Sequence, residues 1–359
     1  MCTLFKDILG SSETLFKNES DIPLDFSFIP KLVPYREKEQ KIIADCIKPL
    51  FLEKTGKSVF IFGQPGVGKT VACKHILKEI EEETEEIIPI YVNCWQRNTT
   101  FKIVLEICDL MNFKFVQNKK TEELFRWIKQ NLNRKSVVLI LDEADKLEDS
   151  EFLYMFLEEI YRKTIVLITN YKDWLLDLDD RIKSRLMPEI VEFKPYNYEE
   201  TKGILKQRID YAFQPNVWDN NAFELIVKKT FDVQDIRTGL YLMKETGNIA
   251  ENKSSRRITI EHAQLALNKV NEFTIKNTED LASDEKLILE LIKANSGKKI
   301  GDLFRLYQEQ DGKLVYKSFQ RKIDRLQKNK FIVVEKTAGG GEGNTTIIKS
   351  NSEKKLTEF

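Results

Sequence analysis

Apolar residues along the chain fall into two kinds of pattern. Between residue 57 and about 193, short β-branched and aromatic runs alternate with stretches of helical period. The runs are Ser58 to Phe62, Ile87 to Val92, Val137 to Leu141, Thr164 to Ile168 and Ile190 to Phe193. Strands spaced by helices pair in parallel through crossover connections, so this part predicts an α/β layer with helices on both faces. From Asn197 to about Phe273 the strand signal vanishes and helical spacing takes over, opened by an Asn197 and Glu200 capping box. The polar run Lys276 to Asp280 reads as a linker. Beyond it come three amphipathic helices, near Asp284 to Ala294, Ile300 to Gln310 and Tyr316 to Asn329. Two β runs follow, Phe331 to Glu335 and Thr345 to Ile348, separated by a glycine-rich tip from Gly339 to Gly343. Three helices and a glycine-tipped hairpin make the winged-helix pattern. The expected domains are residues 1–195, 196–275 and 281–349, and the tail from Ser350 has the composition of a disordered end.

Composition narrows the function classes. Lys plus Arg and Asp plus Glu number 57 each, so nucleic-acid affinity has to come from uneven placement of charge. Lys293 to Lys336 carries such an excess, twelve basic residues against five acidic. Glu79 to Glu86 holds six glutamates in eight residues and reads as the solvated end of a helix. Five cysteines, odd in number and without a C-x-x-C pair, argue against disulfides and zinc. No apolar run approaches the roughly 20 residues that cross a bilayer, and the first residues lack the signal-peptide pattern, so no membrane partner and a cytoplasmic location are expected.

The chemistry-bearing motif lies after the first strand. Residues 63 to 70, Gly-Gln-Pro-Gly-Val-Gly-Lys-Thr, fill the P-loop pattern G-x-x-x-x-G-K-S/T between a strand and a helix. Gly63, Pro65, Gly66, Val67, Gly68, Lys69, Thr70 and the following Val71 form the expected nucleotide segment. Its glycines let backbone N–H groups face phosphate oxygens at a helix N-terminus. Lys69 is suited to the β- and γ-phosphates of ATP or ADP, and Thr70 to Mg²⁺. The apolar strand ending at Asp142 and Glu143 supplies a second metal ligand, Asp142, and a base for the attacking water, Glu143.

Three further segments resemble the AAA+ class of P-loop ATPases: Ile168-Thr169-Asn170, the run Asp180 to Leu186, and Asp235-Ile236-Arg237. By that resemblance Asn170 is the sensor-1 residue, Arg237 the sensor-2 arginine of a helical lid, and Arg181 or Arg185 the arginine finger that acts on a neighbour's ATP. The order Val33-Pro34-Tyr35-Arg36-Glu37, Tyr91 to Cys94 and Phe193 to Asn197, with a terminal winged helix, resembles one family, the archaeal origin recognition complex subunit one / cell division control protein six initiators. The resemblance spans about residues 28 to 349. It implies that Pro34, Tyr35 and Arg36 lie beside the adenine, with Tyr196 and Arg208 lining the nucleotide. The chain departs in carrying Gln234 where many relatives have glycine. The family's DNA-contacting insertion would fall near Phe115 to Glu123, where Lys119 and Lys120 are suited to phosphate.

In the third C-terminal helix Tyr316, Phe319, Ile323 and Leu326 have core spacing. Lys317, Arg321 and Arg325 recur on another face with Ser318 and Lys322 beside them, and Lys336, Asn344 and Thr345 lie on the wing. A basic helix face of this kind fits a major groove. The resulting expectation is an ATP-dependent, origin-binding initiator and weak ATPase. Its partners would be duplex DNA, other initiator subunits and the replicative helicase, with ATP acting as a conformational switch, in a nucleoid-associated setting. A clamp-loader-like or helicase-loader motor and a DNA-binding regulator with a structural nucleotide are the alternatives.

Overall fold

The computed structural model describes residues 14–17, 22–279, 283–310, 312, 314–328, 331–337 and 345–350. The chain divides into two compact units, Met1–Ala266 and Leu267–Phe359.

After a short 3-10 turn at Ile22–Leu24, the first unit has α1 (Glu37–Ile47) and then alternates strands and helices: β1 (Val59–Gly63), α2 (Lys69–Glu83), β2 (Ile87–Asn93), α3 (Thr100–Leu110), α4 (Thr121–Leu132), β3 (Ser136–Asp142), α5 (Glu151–Glu159), β4 (Lys163–Thr169), α6 (Trp174–Asp177), α7 (Asp180–Leu186) and β5 (Glu189–Phe193). The five strands form one parallel sheet in the order β2-β3-β4-β1-β5. All seven residues of β3 are buried, as a central parallel strand covered on both faces requires. Alternate residues serve opposite cores: Val137, Leu139 and Leu141 pack with α3, α4 and α5, whereas Val138 and Ile140 pack with α1 and α2. This order brings the carboxyl ends of β1, β3 and β4 side by side, the edge where open α/β sheets bind ligands.

Four helices follow: α8 (Tyr198–Ala212), α9 (Asn220–Val233), α10 (Ile236–Asn252) and α11 (Ile260–Glu279). Asn197 and Glu200 make the anticipated capping box, each side chain accepting from the other's backbone N–H. The expected linker at Lys276 to Asp280 is corrected as far as Glu279, because α11 runs to that residue. Lys, Asn and Glu are polar without being helix breakers, so a polar run inside a 20-residue helix looked like a connection. The boundary between the two units falls inside this helix, at 266/267.

The second unit continues with α12 (Ser283–Ala294), β6 (Lys298–Lys299), α13 (Ile300–Glu309), α14 (Tyr316–Lys328), β7 (Ile332–Thr337) and β8 (Thr345–Ser350). Its antiparallel sheet has the order β6-β8-β7, and helix, strand, helix, helix, hairpin is the winged-helix sequence of elements. Ile288, Ile292, Leu303, Tyr307, Phe319, Ile323 and Ile348 form its core. β6 escaped the sequence reading because two lysines carry no apolar alternation. Tyr316 does not join Phe319, Ile323 and Leu326 inside: it is 40 % exposed and meets the Phe304 ring edge-on, 5.1 Å between centroids. It sits at the first turn of α14, where the core ends. The glycine tip and Asn344 lie outside the described residues.

Candidate nucleotide site and DNA-facing helix

β1 ends at Gly63 and α2 begins at Lys69, so residues 64–68 form the loop between them. Gly66 and Gly68 adopt φ of +79° and +88°, a region that strains side chains. A Cβ on Gly66 would strike the Asp235 carboxylate, and one on Gly68 would stand 2.6 Å from the Tyr196 hydroxyl. The lid and its entry strand therefore close directly over the loop. Val67 is buried with the core below it, and Val71 packs at the edge of the same cluster.

Lys69 is buried and donates from Nζ to the carbonyls of Gly63 (2.7 Å) and Gln64 (2.9 Å) and to Asn170 Oδ1 (2.9 Å). Burial holds its ammonium below the usual lysine range, against the pull of Glu143 and Asp142. Asn170 also donates from Nδ2 to Glu143 Oε2 at 2.9 Å, so one amide links the P-loop lysine to the expected base. Asp142 Oδ2 accepts from Thr70 Oγ1 (2.7 Å) and from the Tyr91 hydroxyl (2.8 Å). Tyr91, at the end of β2, is a site residue that motif reading named without a role; its signal is a hydroxyl next to the sheet edge.

Glu143 has φ +54°, a conformation that costs a non-glycine residue on the order of 1 kcal/mol and clusters at functional sites. The turn ends β3 and aims the carboxylate at Asn170. Burial first, then the charges of Asp142 and Asp145, raise the Glu143 carboxyl above the ordinary range. Asp145 pairs with Lys146 at 2.5 Å yet keeps a buried Oδ1 without a partner. This concentration of hard oxygen donors and negative potential fits Mg²⁺, which would be held by Thr70 and Asp142. Mg²⁺ typically takes one or two protein carboxylates and completes its shell with phosphate and water.

Arg237 is chelated by Asp235 through Nε (3.0 Å) and Nη2 (2.7 Å), and Asp235 also caps α10 by accepting from the Arg237 N–H at 2.9 Å. The Arg237 charge disfavours that of Lys69 and is itself favoured by Glu143, while Asp235 beside it packs against Gly66 of the loop. Gln234, the departure from glycine, takes φ +56° as the C-cap of α9, so it adopts the backbone form that glycine favours.

Arg36 is buried and acts as a clamp. It donates from Nε to Val67 O (3.2 Å) and from Nη2 to Lys194 O (2.5 Å), pairs with Glu39 (2.9 Å), and lies 3.9 Å over the Tyr196 ring. It thus ties the segment of Pro34 and Tyr35 to the P-loop and to the lid entry. Tyr35, at φ +66°, presses its hydroxyl on Gly203 of α8. Removing a buried, paired cation strands its partners, so Arg36→Ala is expected to cost about 3 kcal/mol and on the order of 10 °C in Tm, measurable by thermal unfolding. Arg208 is also buried, but its contacts are the Pro23 carbonyl (3.1 Å) and the Phe28 ring (5.1 Å), both on the segment preceding α1.

Arg181 and Arg185 share the face of α7 that meets α5. Arg181 binds Asp179 at 3.1 Å, Arg185 pairs with Glu158, and both guanidinium groups flank the Tyr154 ring. Their contacts are here rather than at the P-loop. The cysteines Cys46, Cys73, Cys94 and Cys108 are buried free thiols, and burial pushes the Cys94 thiol up to about 12. Lys119 stacks its ammonium 4.7 Å from the Phe113 ring in the α3–α4 connection, and Lys120 is the residue before α4.

On α14 Lys317, Arg321 and Arg325 are exposed, with Ser318 and Lys322 half-buried beside them. Lys322 (2.9 Å) and Arg325 (3.1 Å) both reach Glu285 of α12. Lys336 and Thr345 fall on β7 and β8.

A P-loop on a β2-β3-β4-β1-β5 sheet, a strand-end acid pair, an asparagine bridging lysine and base, and a lid that lays an Asp–Arg pair on the loop define an AAA+ ATPase. Residues 52–171 match the family model for the AAA domain, and residues 202–268 match that for the Cdc6 AAA+ ATPase-type lid domain. The ORC1-type DNA replication protein 1 of Archaeoglobus fulgidus is 30 % identical over 348 residues, covering 90 % of this chain and 83 % of that protein. The chain belongs to the family of ORC1-type DNA replication proteins. Two solved structures share the fold: the Aeropyrum pernix ORC1 protein in complex with DNA (TM-score 0.69, 22 % identity, 95 % of each chain) and the Aeropyrum pernix ORC2 protein in ADPNP–ADP complexes (TM-score 0.69, 18 % identity, 93 % of this chain and 94 % of that one). Among the described residues no helix is long and apolar enough to cross a membrane.

Proposed function

We propose that this protein is an ATP- and Mg²⁺-dependent initiator: it recognises duplex DNA at a replication origin, distorts it, and helps bring on the replicative helicase while associated with the nucleoid. The observation that carries this reading is one chain holding both a lidded P-loop, with Asp235 of the lid against Gly66, and a winged helix whose third helix exposes Lys317, Arg321 and Arg325. The solved ORC1 relative with DNA and ORC2 relative with ADPNP and ADP support the two ligands. Hydrolysis is slow and serves as a switch, because Asn170 bonds both Lys69 and Glu143, and the Asn170–Glu143 bond must release before Glu143 can activate a water.

Turnover measured with and without origin duplex tests this. Slow turnover altered by origin DNA is the expected result; fast turnover indifferent to sequence would make the protein a loader motor, and tight nucleotide without turnover a regulator. Arg185 and Arg181 point to assembly. In mixtures with hydrolysis-dead partners, Arg185→Ala protein is expected to bind ATP normally and lose stimulated hydrolysis, a loss of roughly 10³-fold or more. If Arg181→Ala has this effect instead, the finger is Arg181.

A further inference from the structure

Glu285 stands in the first turn of α12 with only 1 % of its surface exposed. It occupies a core position, since Ile288, Leu289 and Ile292, three, four and seven residues on, fill the centre of the winged helix. A carboxylate there must be paired. Two basic partners come from α14: Lys322 Nζ donates to Glu285 Oε1 at 2.9 Å, and Arg325 Nη1 donates to the same oxygen at 3.1 Å. The two cations differ in what remains outside. The Lys322 side chain is 25 % exposed and drawn inward, whereas that of Arg325 is 61 % exposed. Arg325 engages Glu285 through one terminal nitrogen, so the other edge of its planar fork keeps its donors.

We propose that Glu285 is a positioning residue for DNA reading: it fixes Arg325 with the outer edge of its guanidinium presented beside Lys317 and Arg321, and it withdraws Lys322 from phosphate contact. The proposal rests on α14 being the DNA-facing helix. Phosphate contacts set the salt dependence of binding, while a side chain held in one geometry sets base preference. Glu285 therefore lowers the sequence-independent pull of α14 by one charge and sharpens its choice of site. Nothing in the basic spacing of α14 points to this, because the acid lies 37 and 40 residues upstream of its partners.

The test uses the full chain, a preferred duplex selected from a randomised pool, and a scrambled duplex of equal length. Affinities for both are measured over a salt series, with thermal unfolding run in parallel. Glu285→Gln keeps the shape and an acceptor oxygen but drops the charge. Its binding to the scrambled duplex is expected to rise several-fold, with a log–log salt slope steeper by about 1 as Lys322 reaches a phosphate. Its preference for the selected duplex is expected to shrink about tenfold as Arg325 loses its fixed geometry. Equal losses on both duplexes with an unchanged slope would make Glu285 a structural residue only and overturn the proposal. Lys322→Met gives a second reading should Glu285→Gln fail to fold: slope and preference are expected to stay at wild-type values, and a slope shallower by about 1 would place Lys322 on phosphate and overturn the proposal. No effect of Lys317→Ala or Arg321→Ala on either duplex would remove the α14 reading itself, and the proposal with it.

Discussion

Lys69→Ala protein is expected to bind ATP at least a hundredfold more weakly than wild type. The Lys69 ammonium is buried at the mouth of the loop and its three donors are now spent on Gly63, Gln64 and Asn170. Burial already disfavours its charge, so the position is retained only where an anion repays it. Charge-assisted hydrogen bonds are worth about 1.5–3 kcal/mol each. Losing two to phosphate gives roughly 3–6 kcal/mol, or about 10²–10⁴ in affinity. Glu143→Gln should behave in the opposite way, with ATP bound and turnover down about 10²–10⁴-fold, since it removes the general base and spares Thr70, Asp142 and the loop. Fluorescent-nucleotide titration and phosphate release separate the two variants. Affinity within twofold of wild type for Lys69→Ala would overturn the P-loop assignment, and loss of binding in Glu143→Gln would move the base elsewhere.

Legibility from sequence followed the physics of each element. Central parallel strands such as β3 and β4, buried on both faces, are continuous apolar runs, and all five strands were located within a residue or two; β3 spans Ser136–Asp142 against an expected Val137 to Leu141. Motif residues of the P-loop and the acid pair were legible because spacing and context are local. What escaped was held by distant partners or by backbone form. Leu15, Phe16 and Leu24 are buried in the first unit, Phe16 against Phe213 and Gly247, yet no periodicity marks them: Phe16 is held by an isolated bridge to Phe213, and Leu24 lies in a 3-10 turn of three residues. Arg36 was read as a neighbour of adenine, and its clamp on Val67 and Lys194 depends on two backbone carbonyls that sequence does not display. Arg208 has its contacts at Pro23 and Phe28, a segment 180 or more residues away in the chain that helical spacing could not bring to it. The expected linker at residues 276–279 failed because polarity was taken for flexibility, and those residues continue α11.

Removing residues 280–359 is expected to abolish most duplex affinity while leaving ATP binding within twofold of wild type. The residues expected to bind nucleotide, Lys69, Thr70, Asp142, Glu143, Asn170, Asp235 and Arg237, all precede the division at 266/267. The basic excess lies wholly in the second, where Lys317, Arg321 and Arg325 are exposed on α14. Each phosphate neutralised contributes about 0.9 to the slope of log affinity against log salt. Loss of three such contacts would lower the slope by roughly 3 and affinity at moderate salt by orders of magnitude. Within the intact chain Lys317→Ala should weaken all duplexes alike, whereas Arg321→Ala should cost about 1–3 kcal/mol on the preferred site and relax its choice of base. Gel shifts on origin and scrambled duplexes, paired with nucleotide titration of the truncated protein, measure both halves of the claim. Undiminished origin binding by the truncated chain would shift the DNA site to the first unit. The α3–α4 connection would then be the place to look, for it carries Lys119 and Lys120 together with Phe115, an aromatic ring 79 % exposed.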